Sequence, residues 1–202
     1  MDLMSADGTF IRAVMEAQRA ADLALVRKRE ALDNTGFPGF ARAFNNPELA
    51  DEYFSLPNKG WSYAGTDYYE VVEFGRDGEM RTAGVCNYKS MTASKRPGND
   101  LYETVAADNY GFGSIITYGP NPNLPTEKQH TPPAMQRGPA NRPTDDVFGT
   151  WVITDITALV GGRLPCGKPA PGTPPGRTDR HTSPEPPASL PPDPGWPDGE
   201  PS

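Results

Sequence analysis

The residues of this chain with chemistry to offer are two cysteines, two histidines and a few paired carboxylates. Cys86 and Cys166 are the only cysteines, and His130 and His181 the only histidines. A zinc site needs more than two thiolates, and neither histidine stands at ligand spacing from them, so no metal is expected. Two readings of the cysteines remain: a disulfide, or two buried reduced thiols. The disulfide is preferred, because Cys166 lies in a Leu-Pro-Cys-Gly turn where a lone structural thiol is out of place. Such a bridge closes a ring of about 80 residues and is worth roughly 4.5 kcal/mol in chain entropy.

Catalytic patterns are absent. There is no Gly-x-Ser-x-Gly, no phosphate-binding Gly-x-x-x-x-Gly-Lys-Ser/Thr loop, no His-Glu-x-x-His and no Cys-x-x-Cys. Gly111-Phe112-Gly113 lacks the third glycine and the following helix of a dinucleotide fingerprint, so no cofactor is expected. His130 sits in a proline-rich stretch and makes a poor general base. Asp145-Asp146 reads as a loop end. Glu70 and Glu73 have opposite parity, so a regular strand would not bring them together. The aromatic residues are more suggestive. Trp61, Tyr63, Tyr69, Tyr88, Tyr118 and Trp151 fall on expected strands and could line an apolar pocket with polar tips. Ordinary sheet-to-helix packing is the competing explanation.

The elements that must position these groups centre on residues 67–90. Tyr68, Tyr69, Val71, Val72 and Phe74 suit a pleated surface. Gly75-Arg76-Asp77-Gly78 supplies turn chemistry, and the return arm alternates Met80, Thr82, Gly84, Cys86, Tyr88 against Arg81, Ala83, Val85, Asn87. Val71 beside Val72 predicts a strand covered on both faces. The spacing predicts a helix over residues 10–32, capped by Ser5 or Asp7, with Ile11, Val14, Gln18, Ala21, Leu25, Lys28 and Leu32 on one face and burial strongest in the first turns. A coiled-coil or membrane-proximal stalk is the alternative use of that helix. A shorter helix is expected over 47–56, and strands over 61–64, 111–118 and 147–159, the last taken as the final strand. Residues 91–100 read as loop and 101–105 as ambiguous.

The chain has 202 residues, 24 of them proline and 21 glycine, with a net charge of −7. That charge disfavours nucleic acid and anionic membrane surfaces as partners. No stretch approaches the ~20 apolar residues of a membrane span, and the first residues do not read as a signal peptide. The chain is therefore cytoplasmic, or an exported form whose leader has been removed; the tail favours export. From Lys168 onward, half of all the prolines occur with almost no large apolar residues, which predicts a disordered spacer with PxxP spacings. Trp196 is the one tail residue able to anchor on a partner or fold back. The expected organisation is a flexible segment 1–9, a single α+β domain over 10–166 with an irregular insert at 119–146, and a disordered proline-rich tail over 167–202. In that domain, N-terminal helices pack on a curved antiparallel sheet.

Two stretches carry a resemblance. The hairpin end VCNYKSMT and the later GTWVITDI, followed by Pro-Cys-Gly and the proline-rich tail, resemble uncharacterised exported or membrane-tethered proteins of mycobacteria and related actinobacteria. The order of elements over about residues 5–160 is similar to the cone-shaped nuclear-transport-factor-like (cystatin-like) fold. The resemblance implies no activity and carries over no catalytic residues. The function expected is that of a non-catalytic secreted or envelope-associated accessory protein with an unknown protein partner. The alternative is a small-molecule-binding protein or enzyme of the cone fold, with the aromatic residues as its pocket.

Overall fold

The computed structural model describes residues 1–45, 50–51, 58–104, 111–159, 163–175 and 180–198. The described helices are α1 (Ala6–Asp22), α2 (Arg29–Asp33) and α3 (Phe40–Ala43), with residues 50–51 also helical. The strands are β1 (Ser62–Gly65), β2 (Tyr68–Asp77), β3 (Met80–Tyr88), β4 (Thr92–Lys95), β5 (Tyr102–Thr104), β6 (Gly111–Pro120), β7 (Trp151–Leu159) and β8 (Thr182–Ser183). They form two antiparallel sheets, ordered β2-β3-β6-β7 and β1-β4-β5-β8, an α+β arrangement. Apart from 50–51, the helix expected over 47–56 lies outside the described residues.

The hairpin of β2 and β3 is central to the first sheet. Its turn is tighter than the sequence suggests: Asp77 pairs with Met80, leaving Gly78-Glu79 at the tip, with Gly78 at φ +59°. A bulge between Val71 and Glu73 explains the adjacent valines. Val71 packs into the large core and Val72 into a smaller cluster with Cys86, Tyr88, Leu164, Cys166 and Ala170. The sheet is thus covered on both faces. The bulge also overturns the parity argument for Glu70 and Glu73, since their partners Cys86 and Gly84 lie on one face of β3. Alternation in β3 holds: Ala83 and Val85 enter the large core, while Cys86 and Tyr88 enter the small one.

The second cover is covalent. Cys86 and Cys166 form a disulfide with their Cα atoms 5.4 Å apart. Beside it, Glu70 accepts from the Tyr88 hydroxyl at 2.7 Å and pairs with Lys168 at 2.6 Å. The Lys168 ammonium, then the Tyr88 hydroxyl, hold the Glu70 carboxyl below its ordinary range.

Helix α1 closes the other face. Its first turns bury Phe10, Ile11 and Val14, with Phe10 stacked on Tyr118 at 4.7 Å and edge-on to Phe148. Ser5 is the cap, accepting from the Gly8 amide at 3.1 Å. Asp7, expected within a flexible segment, is buried and receives Arg76 at 2.5 Å, Arg81 at 3.1 Å and the Tyr118 hydroxyl at 3.1 Å. This cluster pins the helix start to β2, β3 and β6.

The helix does not run to Leu32. It stops at Asp22, because Asn58 takes its end carbonyls: the side chain donates to Leu23 O at 3.1 Å and the backbone amide to Ala24 O at 2.8 Å. Leu25 is left exposed, and Lys28 turns the chain at φ +58° into α2.

Three further expectations are revised. Part of the segment read as loop, β4, pairs with β1 and β5 in the second sheet. The strand expected from residue 147 begins at Trp151, with Val147 and Phe148 buried ahead of it, and β8 follows it in sequence. The described part of the proline-rich tail lies across the body. Thr182–Ser183 add an edge to β5, Ser189 Oγ accepts from the Gly65 amide, and Leu190 N donates to Thr66 Oγ1. Trp196 is fully buried. It exchanges both backbone hydrogen bonds with Ala140, meets Phe37 edge-on at 6.1 Å and lies 4.3 Å beneath Arg12. Gly138 and Gly195 permit this, since a Cβ on either would strike the backbone opposite. Low apolar content argued for a free tail, but one indole and a few backbone pairs fasten these residues.

The indole also perturbs a carboxyl. Trp196 Nε1 donates to Glu16 Oε2 at 2.7 Å. Burial lifts the Glu16 carboxyl from 4.5 to about 7, against the opposing pull of Trp196, Arg12 and Arg142. Between those values the folded chain retains a proton that the unfolded chain has released, so stability falls as pH rises through that interval and levels off above it. The expected loss is up to ~3 kcal/mol. Urea unfolding at pH 5 and pH 8 should show it, and Glu16→Gln should remove most of that difference. An unchanged pH difference in the variant contradicts the assignment.

Candidate functional site

A charged cleft lies between the C-terminal half of α1 and the first sheet, and a wider, more open hollow of about 470 Å³ lies over α2 and α3, lined by Leu32, Asp33, Phe37, Pro38, Ala41 and Arg42. Met15, Gln18, Arg19 and Asp22 recur at three- and four-residue steps, which places them on one helical stripe. They continue the buried face after it turns polar. Opposite them, Tyr69, Asn87 and Phe112 are cross-strand neighbours in one row of β2, β3 and β6. Ser114 and Ala158 form the adjoining row, and Lys89 stands just past the end of β3. The cleft holds about 180 Å³.

Its charges balance. Arg19 Nε donates to Asp67 Oδ2 at 2.8 Å with both side chains mostly buried, and the guanidinium lies 5.2 Å from the Tyr63 ring. The Lys89 ammonium rests 5.1 Å over Phe112. Burial and then Arg19 push the lysine below its ordinary value, while Asp67 and Asp22 oppose this. Asp22 is shifted up, by burial first, with Lys89 and Arg19 resisting. It stands exposed at the rim, so solvent limits that shift. Burial, reinforced by Asp67, keeps the Tyr69 hydroxyl protonated well above its usual range. Asn87 is 8% exposed, and its Oδ1 has no hydrogen-bond partner.

The six aromatic residues picked out in the sequence do not meet around one cavity. Tyr118 and Trp151 pack against each other and Phe10 in the large core. Burial, then Asp7, raises the Tyr118 hydroxyl. Tyr88 lies on the opposite face beside the disulfide, its hydroxyl raised by burial and by Glu70. Trp61 lies 5.0 Å from Arg96, and Tyr63 belongs to the second sheet. Tyr69 alone of the six reaches the cleft. His130 is tied through its backbone, its amide donating to Thr150 Oγ1 at 2.8 Å.

Sequence reasoning passed over Arg19, Asp22, Asp67 and Lys89. One signal was present: past Ala17 the inner face of α1 sets Gln18 and Arg19 beside the buried Ala21. No protein-family model, curated protein or solved structure matches this chain. Among the described residues, no three His, Cys, Asp or Glu side chains group as metal ligands, and no helix is long and apolar enough to cross a membrane.

Proposed function

We propose that the protein is a non-catalytic accessory domain that works by surface contact outside the reducing cytoplasm. One observation carries the non-catalytic part: Phe10, Tyr118, Phe148 and Trp151 fill the space between α1 and the sheet. The charged cleft beside them, about 180 Å³, has room only for a compact ligand, and the 470 Å³ hollow over α2 and α3 is open to solvent with Phe37 as its one aromatic lining among the described residues. The disulfide supports that compartment, because such bridges persist where thiols are not continuously reduced. An enzyme built on the aromatic set would need those rings around one cavity, and they are dispersed over two sheet faces and two sheets.

The test is to quench the native protein in its own cells with acid and an alkylating reagent, then map its cysteine peptides by mass spectrometry. The reading expects Cys86 and Cys166 to be recovered as one cross-linked pair. Two alkylated thiols would place the protein in a reducing compartment and remove the exported part of the reading.

A further inference from the structure

The cleft beneath α1 offers a carboxylate and an ammonium that no ion pair among the described residues engages, and an amide oxygen that accepts from no donor. Asp22 and Lys89 each feel the other's charge, yet neither makes an ion pair with any described residue. The gap between them is thus too wide for direct contact. Asn87 adds a buried carbonyl oxygen without a donor, on the cleft wall between Tyr69 and Phe112. An unanswered buried acceptor costs about 1–3 kcal/mol, which a donor in the cleft would recover once the Asn87 amide rotates to meet it. Arg19 and Asp67 are already committed to each other.

We infer that this cleft binds a small zwitterion of the α-amino-acid class, with its carboxylate on Lys89 and its ammonium between Asp22 and Asn87 Oδ1. The size agrees, since about 180 Å³ admits a compact metabolite and little more. The charge balance agrees as well. A simple anion can meet Lys89 alone and a simple cation Asp22 alone, whereas a zwitterion meets both at once. Met15, Phe112 and Ala158 provide apolar wall for a short carbon skeleton. This role is independent of the surface-contact function and needs no turnover.

The experiment uses the full chain with its disulfide intact. L-valine and L-serine are titrated while backbone amide shifts are followed by NMR, with isovalerate and isobutylamine as analogues that each keep one charge. Saturable shifts at Asn87, Lys89, Gly113 and Ser114 are expected with at least one amino acid. Each analogue of L-valine should bind roughly tenfold or more weakly than L-valine itself, or each should fail to bind if L-serine alone does. Asp22→Asn should weaken amino-acid binding and leave any isovalerate binding unchanged. Lys89→Met should weaken amino-acid binding and leave any isobutylamine binding unchanged, and Lys89→Arg should restore part of the loss if Lys89→Met proves unstable. The inference is overturned if neither amino acid gives saturable shifts, if a one-charge analogue binds as tightly as its amino acid, or if the variants bind like the native chain.

Discussion

Reducing the Cys86–Cys166 bridge lowers the unfolding free energy by about 4 kcal/mol. The bridge spans 80 positions in sequence, so the reduced unfolded chain recovers the freedom of a long loop. The folded state loses little directly, since Leu164 still lies over Gly84 and Gly111 N still donates to Cys166 O at 2.7 Å. The effect therefore acts mainly on the unfolded state. Urea unfolding of the oxidised protein and of a Cys86→Ala/Cys166→Ala variant measures it. A difference below about 1 kcal/mol would mean that the second face of the sheet is held by packing alone.

Replacing Trp196 by Ala costs about 3–5 kcal/mol, an effect typical of a large aromatic residue lost from a packed interior. The indole fills the space beside Phe37, donates to Glu16, and carries Arg12, whose guanidinium also donates to the carbonyls of Gln136, Pro194 and Gly195. Leu190 serves as the control. It is 58% exposed, and its truncation should change stability by no more than about 0.5 kcal/mol. Equal, small effects from both substitutions would mean that the tail does not contribute to the body's stability.

These two results concern residues that differ in how legible they were. The hairpin and the disulfide could be read in advance because their signals are local or exhaustive: alternation along β3, an Asp-Gly turn, and only two cysteines to pair. The end of α1 could not, because Asn58, distant in sequence, takes the carbonyls that stop it. The second sheet was hidden for a related reason. Strands β4, β5 and β8 are two to four residues long, and β4 with β1 and β5 with β8 pair across long separations, so no periodicity develops within any one of them. The tail misled through composition, which averages over many residues, whereas its attachment depends on a single indole and a few backbone pairs. The long proline insert is held by side chains in place of a ladder. Gln129 Nε2 donates to Asn121 O and Leu124 O, and Arg142 donates to Thr35 O.

The cleft was the least legible feature. Arg19, Asp22, Asp67 and Lys89 come from one helix and two connections flanking the central hairpin. Each is unremarkable by type, and only the folded chain gathers them beside Asn87. The pocket expected from aromatic content depended on residue type alone. The structure instead uses Phe10, Tyr118 and Trp151 as filling.

Hydrogen exchange followed by mass spectrometry, on the oxidised full chain at neutral pH, tests most directly whether both sheet faces and the tail strap form a single closed body. Peptides from α1, β3 and β6 should be strongly protected, and the peptide spanning Gly195 and Trp196 should be protected with them, together with its bridge partner Ala140. Rapid exchange at Trp196 and Ala140 beside a protected β3 would contradict the closed body and return the tail to a free spacer.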